Sequence, residues 1–385
     1  MRIFLGLLTI SILLLSGCHD EEEWTSAPLR EPTDEPAETD TTSNENPPDE
    51  PFDWCLQNDC WDETIFTCRD STMIANFTRH ESDGWTGGDA TYSIALPGDR
   101  TLWLFGDTFI GQVKADRSRS SLSLINNSLV VQDGDEFTTF YGGTAASPEA
   151  FAKPEDPSTW YWPGSGLADE DTLYLFMHAF GTTGGMWGFF RSGVDLYRLD
   201  PNTLEVFDRT RVLDGGGISW GADVMEDGEY AYIYGVLSNE TGKTLFVART
   251  DLGFSDPWQY YNEGEWTLEA GLASSIFAGV SEQFSVFRQL DKYYLVTQHN
   301  AFGRQIYLFS SDSPSGPWGN GKTVYCTPET GGNIFTYNAY AHPQLLNNGE
   351  LLISYNINSF EFSDLRTSAD NYRPYFIRIS GWEDE

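Results

Sequence analysis

From Trp54 onward, short apolar runs alternate with Gly, Asn, Asp and Pro punctuation, and helical spacing of apolar positions is scarce. Runs such as Leu102-Trp103-Leu104-Phe105, Leu173-Tyr174-Leu175-Phe176-Met177, Tyr230-Ala231-Tyr232-Ile233-Tyr234, Tyr293-Tyr294-Leu295-Val296 and Leu351-Leu352-Ile353 are short and rich in aromatic and branched residues. They predict strands buried on both faces rather than half-buried ones, because the apolar character does not alternate. Each run follows a weaker strand pattern and precedes one or two more. The five weaker patterns begin at Asp89, Trp160, Trp220, Glu282 and Ala341, the last being Ala341-His342-Pro343-Gln344-Leu345. Five copies of roughly 55–75 residues predict an all-β, five-bladed β-propeller, in which each blade hides a face against its neighbour. A two-sheet sandwich would account for neither the repetition nor the length. The segment Thr64-Ile65-Phe66-Thr67-Cys68 is expected to close the ring by adding an outer strand to the last copy.

The first 53 residues are of a different kind. A short charged start and an apolar run to Leu15 make a secretory signal, ending in Leu15-Ser16-Gly17-Cys18. That junction resembles the bacterial lipobox, so residues 1–18 are expected to be a lipoprotein signal in which Cys18 carries the lipid. Residues 19–53 hold thirteen Asp and Glu against one Arg. With no hydrophobic period, such a stretch is expected to be a disordered acidic tether to residues 54–385. The implied location is a bacterial membrane surface, facing periplasm or exterior, with the membrane touched only through the lipid.

Charge narrows the partners. The chain carries a formal −36, and residues 54–385 alone carry 45 acids against 20 bases. No basic stripe is available for phosphates, which argues against nucleic acid. A monomer is expected. Four cysteines remain for the folded body, Cys55, Cys60, Cys68 and Cys326. In an exported chain they predict disulfides in one of three connectivities, with a Cys55–Cys60 loop and a Cys68–Cys326 tie as one attractive arrangement. Their irregular spacing does not suit a zinc site.

Two acids stand out. Asp89 follows Gly87-Gly88, and Asp107 ends Leu102-Trp103-Leu104-Phe105-Gly106. A carboxylate on the interior side of a buried strand is costly unless it is paired, hydrogen-bonded or open to a wet cavity, so two of them on successive strands mark a candidate site. Inner strands line a funnel, where Asp223, Glu282, His342 and Trp162 are also expected to converge. Trp85, Trp162 and Trp220 are candidate platforms for sugar rings. Gly215-Gly216-Gly217 and Thr182-Thr183-Gly184-Gly185 lead into no helix and predict turns rather than phosphate loops. No His-x-x-His or Glu-x-x-His spacing occurs, so neither a catalytic metal nor a cofactor is expected, although a structural calcium would leave no mark in the sequence.

Ser310-Ser311-Asp312-Ser313-Pro314-Ser315-Gly316-Pro317-Trp318, echoed by Phe254-Ser255-Asp256-Pro257-Trp258, resembles a strand-to-turn signature of five-bladed glycoside hydrolases acting on furanosides, such as arabinanases and fructosidases. Its tryptophan is expected to wedge between blades. Gly88-Asp89-Ala90-Thr91-Tyr92-Ser93, Trp103-Leu104-Phe105-Gly106-Asp107-Thr108-Phe109 and Asn126-Asn127-Ser128-Leu129-Val130-Val131 resemble a group of bacterial propeller domains of unassigned function whose relatives include endo-acting D-arabinofuranases. The resemblance is strong over residues 84–131. It implies that Asp89 and Asp107 are the catalytic carboxylates; Asn127, in the last of these stretches, is a candidate substrate-binding residue.

These readings converge on an extracytoplasmic glycoside hydrolase cleaving a furanose-containing, arabinan-like polysaccharide. Asp89 is the expected base or nucleophile, Asp107 its partner and Glu282 the candidate general acid. Two other readings use the same residues differently: a lectin-like, glycan-binding propeller without catalysis, and a structural propeller whose funnel is plugged.

Overall fold

A computed structural model describes residues 60–383, apart from 61, 79–83, 121–122, 185–187, 213–215 and 240–241. The signal, Cys18, the tether and Cys55 lie outside the described residues.

The described chain is a ring of five antiparallel sheets. Blade 1 is built on Trp85–Leu96, Arg100–Ile110, Ser128–Asp133 and Glu136–Phe140, in that order from axis to rim. Blade 2 follows with Trp160–Ala168, Leu173–Thr182, Phe189–Leu199 and Val206–Arg211. Blade 3 uses Ser219–Asp227, Tyr230–Asn239 and Gly242–Asp251, with short outer strands beyond. Blade 4 is Phe284–Gln289, Lys292–Gln298, Gln305–Ser311 and Gly319–Cys326. Blade 5 takes Ile334–Ala341, Leu351–Ser359 and Pro374–Ser380, and its fourth strand is Phe66–Arg69 from the beginning of the fold. The innermost strands touch one another in cyclic order, blade 5 meeting blade 1.

Alternation along each second strand explains why a ring forms. Leu102 and Leu104 pack with Leu173, Leu175 and Met177 of blade 2. Trp103 and Phe105, pointing the other way, pack with Leu352 and Phe376 of blade 5. The same two-way use recurs around the ring. Tyr174 and Phe176 meet Ala231 and Ile233, and Tyr232 and Tyr234 meet Leu295. Tyr294 and Val296 then meet Leu351 and Ile353. Among the described residues, five apolar clusters thus each join one pair of neighbouring blades. The expected tryptophan wedges are present, with Trp318 in the cluster between blades 3 and 4 and Trp258 against that between blades 2 and 3.

Two expectations need correction. The innermost strand of blade 5 is Ile334–Ala341, and residues 343–345 are a 3₁₀ turn, so His342 sits just past the strand. The disulfide joins Cys60, not Cys68, to Cys326; Cys68 is in a disulfide too, and Cys326 is not its partner. The observed bond still fastens the start of the fold to its late part, because Phe66–Arg69 pairs with Pro374–Ser380 while Cys326 ends the outer strand of blade 4. A link spanning 266 residues removes much freedom from the unfolded chain. The Cys60→Ser/Cys326→Ser double variant should lose about 2–5 kcal/mol of stability in chemical denaturation. Unchanged stability would show that strand pairing alone closes the ring.

Candidate functional site

The site lies where blade 1 departs from regular pairing. Within Trp85–Leu96 the register shifts on both sides of Ala90, and both Ala90 (φ 72°) and Thr91 (φ 63°) adopt the left-handed conformation. For residues with side chains this costs about 1–2 kcal/mol each, so the neighbourhood must impose it. Gln283 of blade 4 donates to the Ala90 carbonyl at 2.5 Å, and Asn356 of blade 5 donates to Gly88 O at 3.2 Å and Thr91 Oγ1 at 2.9 Å. Held this way, Asp89 is the one residue from Trp85 to Ile94 that keeps partial exposure. Asp107 has the same distinction in its strand between Thr101 and Ile110. Gly106 makes room: a Cβ there would come within 2.4 Å of Asp89 Oδ1.

The two carboxylates have different surroundings. Tyr337 donates to Asp89 Oδ2 at 2.9 Å and itself accepts from Asn358 at 3.0 Å. Tyr372, whose hydroxyl donates to the Asp107 carbonyl at 2.9 Å, stands beside the Asp89 carboxyl as well. Trp162 Nε1 donates to Asp107 Oδ1 at 2.8 Å, and Asn126 Nδ2 to the same oxygen at 3.2 Å. Burial, then the charge of Asp107, push Asp89 up to about 7, against the pull of the Tyr337 and Tyr372 hydroxyls. Burial also raises Asp107, opposed by Trp162 and Asn126. Asp89, raised by burial and by the neighbouring charge, is the member of the pair that holds a proton more readily, while two N–H donors favour charge on Asp107.

Of the residues read from sequence, the structure brings together Asp89, Asp107 and Trp162. Glu282 stands at the same end of the ring, next to Gln283, but on blade 4, which does not adjoin blade 1. It is ion-paired with Lys243 at 2.8 Å and within 3.4 Å of Ser238, both on blade 3. Asn127 is not at the carboxylates: it is buried, donating to Ala152 O and Tyr161 O while accepting from Ala152 N. Its neighbour Asn126 reaches Asp107 instead. Trp85 and Trp220 offer no face to a sugar, because both are core residues, Trp85 against Phe77 and Phe105, Trp220 against Trp258 and Tyr260.

His342 is fully buried between Ser93 and Ser354, at 2.6 and 2.9 Å, and burial lowers it to about 3, so it is a neutral core histidine away from solvent. Asp223 is also internal. It accepts from Tyr340 of blade 5 at 2.6 Å and from the Val286 amide of blade 4 at 2.5 Å, and burial pushes it up to about 7. Tyr340 reaches Ser165 of blade 2 as well, at 3.2 Å. A blade 5 side chain bonded to blades 2 and 3 must cross the ring axis, so the funnel is filled beneath the carboxylates. Asp89 and Asp107, which keep partial exposure, are therefore approached from their own end of the axis.

Tyr337, Tyr372, Gln283 and Asn356 were not legible as site residues. Tyr372 arrives on a segment that Arg119 secures through the carbonyls of Thr86, Leu365, Ala369 and Tyr372. That guanidinium also packs on Phe109, 4.4 Å from the ring centre. Gly87 permits this approach, since a Cβ there would meet Tyr372 O at 2.1 Å. Among the described residues no group of three or more His, Cys, Asp or Glu is placed to hold a metal ion.

A closed five-bladed propeller with one unequal carboxylate pair at an open end of its axis is the class of protein these features define. The chain belongs to the family described as a domain of unknown function, DUF5005, which matches residues 70–382. No protein of curated function matches it. Among solved structures, a candidate hydrolase from Bacteroides ovatus is similar at 24% identity and TM-score 0.73, covering 84% of this chain and 93% of that one. An α-L-arabinofuranosidase from Podospora anserina, in complex with cellotriose, has 11% identity and TM-score 0.44, covering 77% of this chain and 92% of that one. An exo-1,5-α-L-arabinanase from a bovine ruminal metagenomic library has 13% identity and TM-score 0.43, covering 77% and 94%. At 24% identity the likeness to the first of these is one of fold.

The raised Asp89 has a consequence for stability that needs no substrate. Its folded value of about 7 lies above the ordinary carboxylate value of about 3.9, so its contribution is present at low pH and is lost as pH rises through 7. Asp89→Asn removes that loss. The variant should gain on the wild type by on the order of 1 kcal/mol or more between pH 5 and 8 in urea denaturation. A difference independent of pH would overturn the assignment of the proton to Asp89.

Proposed function

We propose that the protein is a glycoside hydrolase acting on a furanose-containing polysaccharide outside the cytoplasm. The observation that carries the reading is the carboxylate pair in unequal surroundings: Asp89, bonded by a tyrosine hydroxyl and raised by burial, beside Asp107, which takes two N–H donors. Glycosidic cleavage needs such a division, a proton delivered to the leaving oxygen and a carboxylate that activates water or attacks the anomeric carbon. Asp89 takes the first role, expected of Glu282 from sequence, and Asp107 takes the second, expected of Asp89, because the two N–H donors favour charge on Asp107. Tyr337 and Tyr372 orient Asp89; Trp162 and Asn126 orient Asp107. Glu282, occupied by Lys243, is left a place at the rim. The furanose preference rests on the resemblance over residues 84–131, and an arabinan is its first candidate.

Incubating the full chain with arabinan, arabinogalactan, fructan and xylan, and assaying released sugar, tests the reading directly. Turnover of at least one polymer is expected, with losses of about 10³-fold or more in Asp89→Asn and Asp107→Asn. Activity should fall above about pH 7 as Asp89 loses its proton. Tyr337→Phe removes a hydrogen bond that favours the ionised form of Asp89, so it should move this alkaline limb upward. Binding to a polymer without any release would favour the lectin reading, and full turnover in either amide variant would sink the catalytic assignment.

The lipobox-like junction supports attachment through Cys18. Cys18→Ala should move the protein from the membrane to the soluble fraction of its host; continued membrane retention would refute a lipid at that position.

A further inference from the structure

Resting on the hydrolase reading for the identity of its occupant, we propose that blade 2 carries a second glycan-binding site, apart from the carboxylate pair, which holds a neutral stretch of the polysaccharide. The site is a cavity of about 490 Å³. Glu155, Asp156 and Thr159, on the segment that enters blade 2, line one side, and Asp195, Arg209 and Arg211, on its third and fourth strands, line the other. Neither Asp89 nor Asp107 has a part in this lining. In the pairing of those two strands Asp195 stands opposite Arg211, and Tyr197 opposite Arg209. Residues two apart share a face, and Tyr197 belongs to the apolar cluster between blades 1 and 2, so this face looks toward blade 1.

Asp195 is 3% exposed, and a carboxylate at that depth needs partners. Tyr161 donates to its Oδ2, and Arg211 Nε lies 2.7 Å from its Oδ1. Gly193 makes room for the guanidinium, since a Cβ there would come within 1.7 Å of Arg211 Nη1. Anchored in this way, Arg211 stays half exposed and has no second carboxylate among the described residues, so donors remain for a ligand. Arg209 reaches across to Glu155 and lies over the Tyr197 ring, 6.0 Å from its centre. Asp156 is fixed through Oδ1, which accepts from the Ser158 amide at 2.9 Å and hydroxyl at 2.7 Å, and Oδ2 is left open. One inner strand serves both places, for Trp162 bonds Asp107 and its neighbour Tyr161 bonds Asp195.

This lining decides the class of ligand. Three acids against two arginines leave a net −1, which disfavours a polyanion. Among the described residues no group of three His, Cys, Asp or Glu is placed for a metal ion. A hydroxyl both donates and accepts, so neighbouring hydroxyls can satisfy an open carboxylate oxygen and an open guanidinium together. A neutral sugar ring presents such hydroxyls side by side, and the volume lies within the ordinary range of ligand clefts. A polymer gripped here as well as at the carboxylates is bound twice by one chain, so its release is slowed with no change at the reacting atoms.

The test uses the full chain with Arg211→Ala, which removes the anchored guanidinium, and Asp156→Ala. The second changes only an exposed turn and keeps the test decisive if loss of Arg211 disturbs folding. Each variant should raise KM for the polymer that the wild type cleaves by about threefold or more, with kcat unchanged. For a disaccharide of the same linkage, whose two rings are both taken up at the scissile bond, kcat/KM should stay at the wild-type value. An unchanged polymer KM in both variants, or an equal loss on the disaccharide, would overturn a separate site. If nothing in the panel is cleaved, the hydrolase reading fails on its own, and retardation in gels containing each polymer, with a polyuronate added, becomes the readout. Weaker retardation of both variants by a neutral polymer sustains the site. Retardation equal to wild type, none at all, or a weakening seen only with the polyuronate rejects it.

Discussion

The constraint beneath the whole structure is that every blade has two apolar faces and no blade can cover both. Leu102 and Leu104 need blade 2, while Trp103 and Phe105 of the same strand need blade 5. Burial of each such side chain contributes about 1.5–3 kcal/mol, so leaving one face open would forfeit a large part of the molecule's net stability. Only a closed ring satisfies all five. Closure in turn requires the beginning and end of the fold to meet, which the pairing of Phe66–Arg69 with Pro374–Ser380 accomplishes.

Ring closure also explains where polar chemistry can reside. Apolar packing occupies the spaces between blades, so polar groups are driven to the axis, where the innermost strands converge. There they divide into two sets. One set is internal and bridges blades: Asp223, Tyr340, Ser165 and the Val286 amide. The other stands at the open end and comprises Asp89, Asp107 and their donors. Both sets contain raised carboxylates, so a shifted titration does not by itself mark a catalytic group. What separates them is access and backbone. Asp89 and Asp107 keep partial exposure, and Asp89 is followed by two left-handed residues, whereas Asp223 is enclosed by its partners.

Much of the fold was legible because a strand buried on both faces leaves an unbroken apolar run. All five second strands were located in this way, and four of the five inner strands followed from the weaker pattern before each run. The fifth was misplaced because Ile334–Ala341 contains Asn338 in the left-handed conformation and a shift of register between Tyr337 and Tyr340, features that mask a strand pattern. The site was half legible. An acid in an apolar strand is conspicuous, which exposed Asp89 and Asp107, and Trp162 followed from its place near the start of an inner strand. Tyr337, Tyr372, Gln283 and Asn356 come from blades 4 and 5, far away in sequence, and a tyrosine or amide among so many in this chain carries no local mark. Trp85 and Trp220 misled for the converse reason, since sequence does not say which side of a strand reaches water. The cysteine pairing depended on three-dimensional proximity alone.

The position of Cys60 sets how the body bears load. Moving along the chain toward the fold, Cys60 precedes the strand Phe66–Arg69, and its sulfur is bonded to Cys326 at the end of blade 4. A pull at Cys60 would therefore pass through a covalent bond into the four-stranded sheet of blade 4 as well as along the chain to the four-residue strand that closes blade 5. Cys68, inside that closing strand, is disulfide-bonded too, so the two blades that meet at the seam share a load rather than one sparing the other.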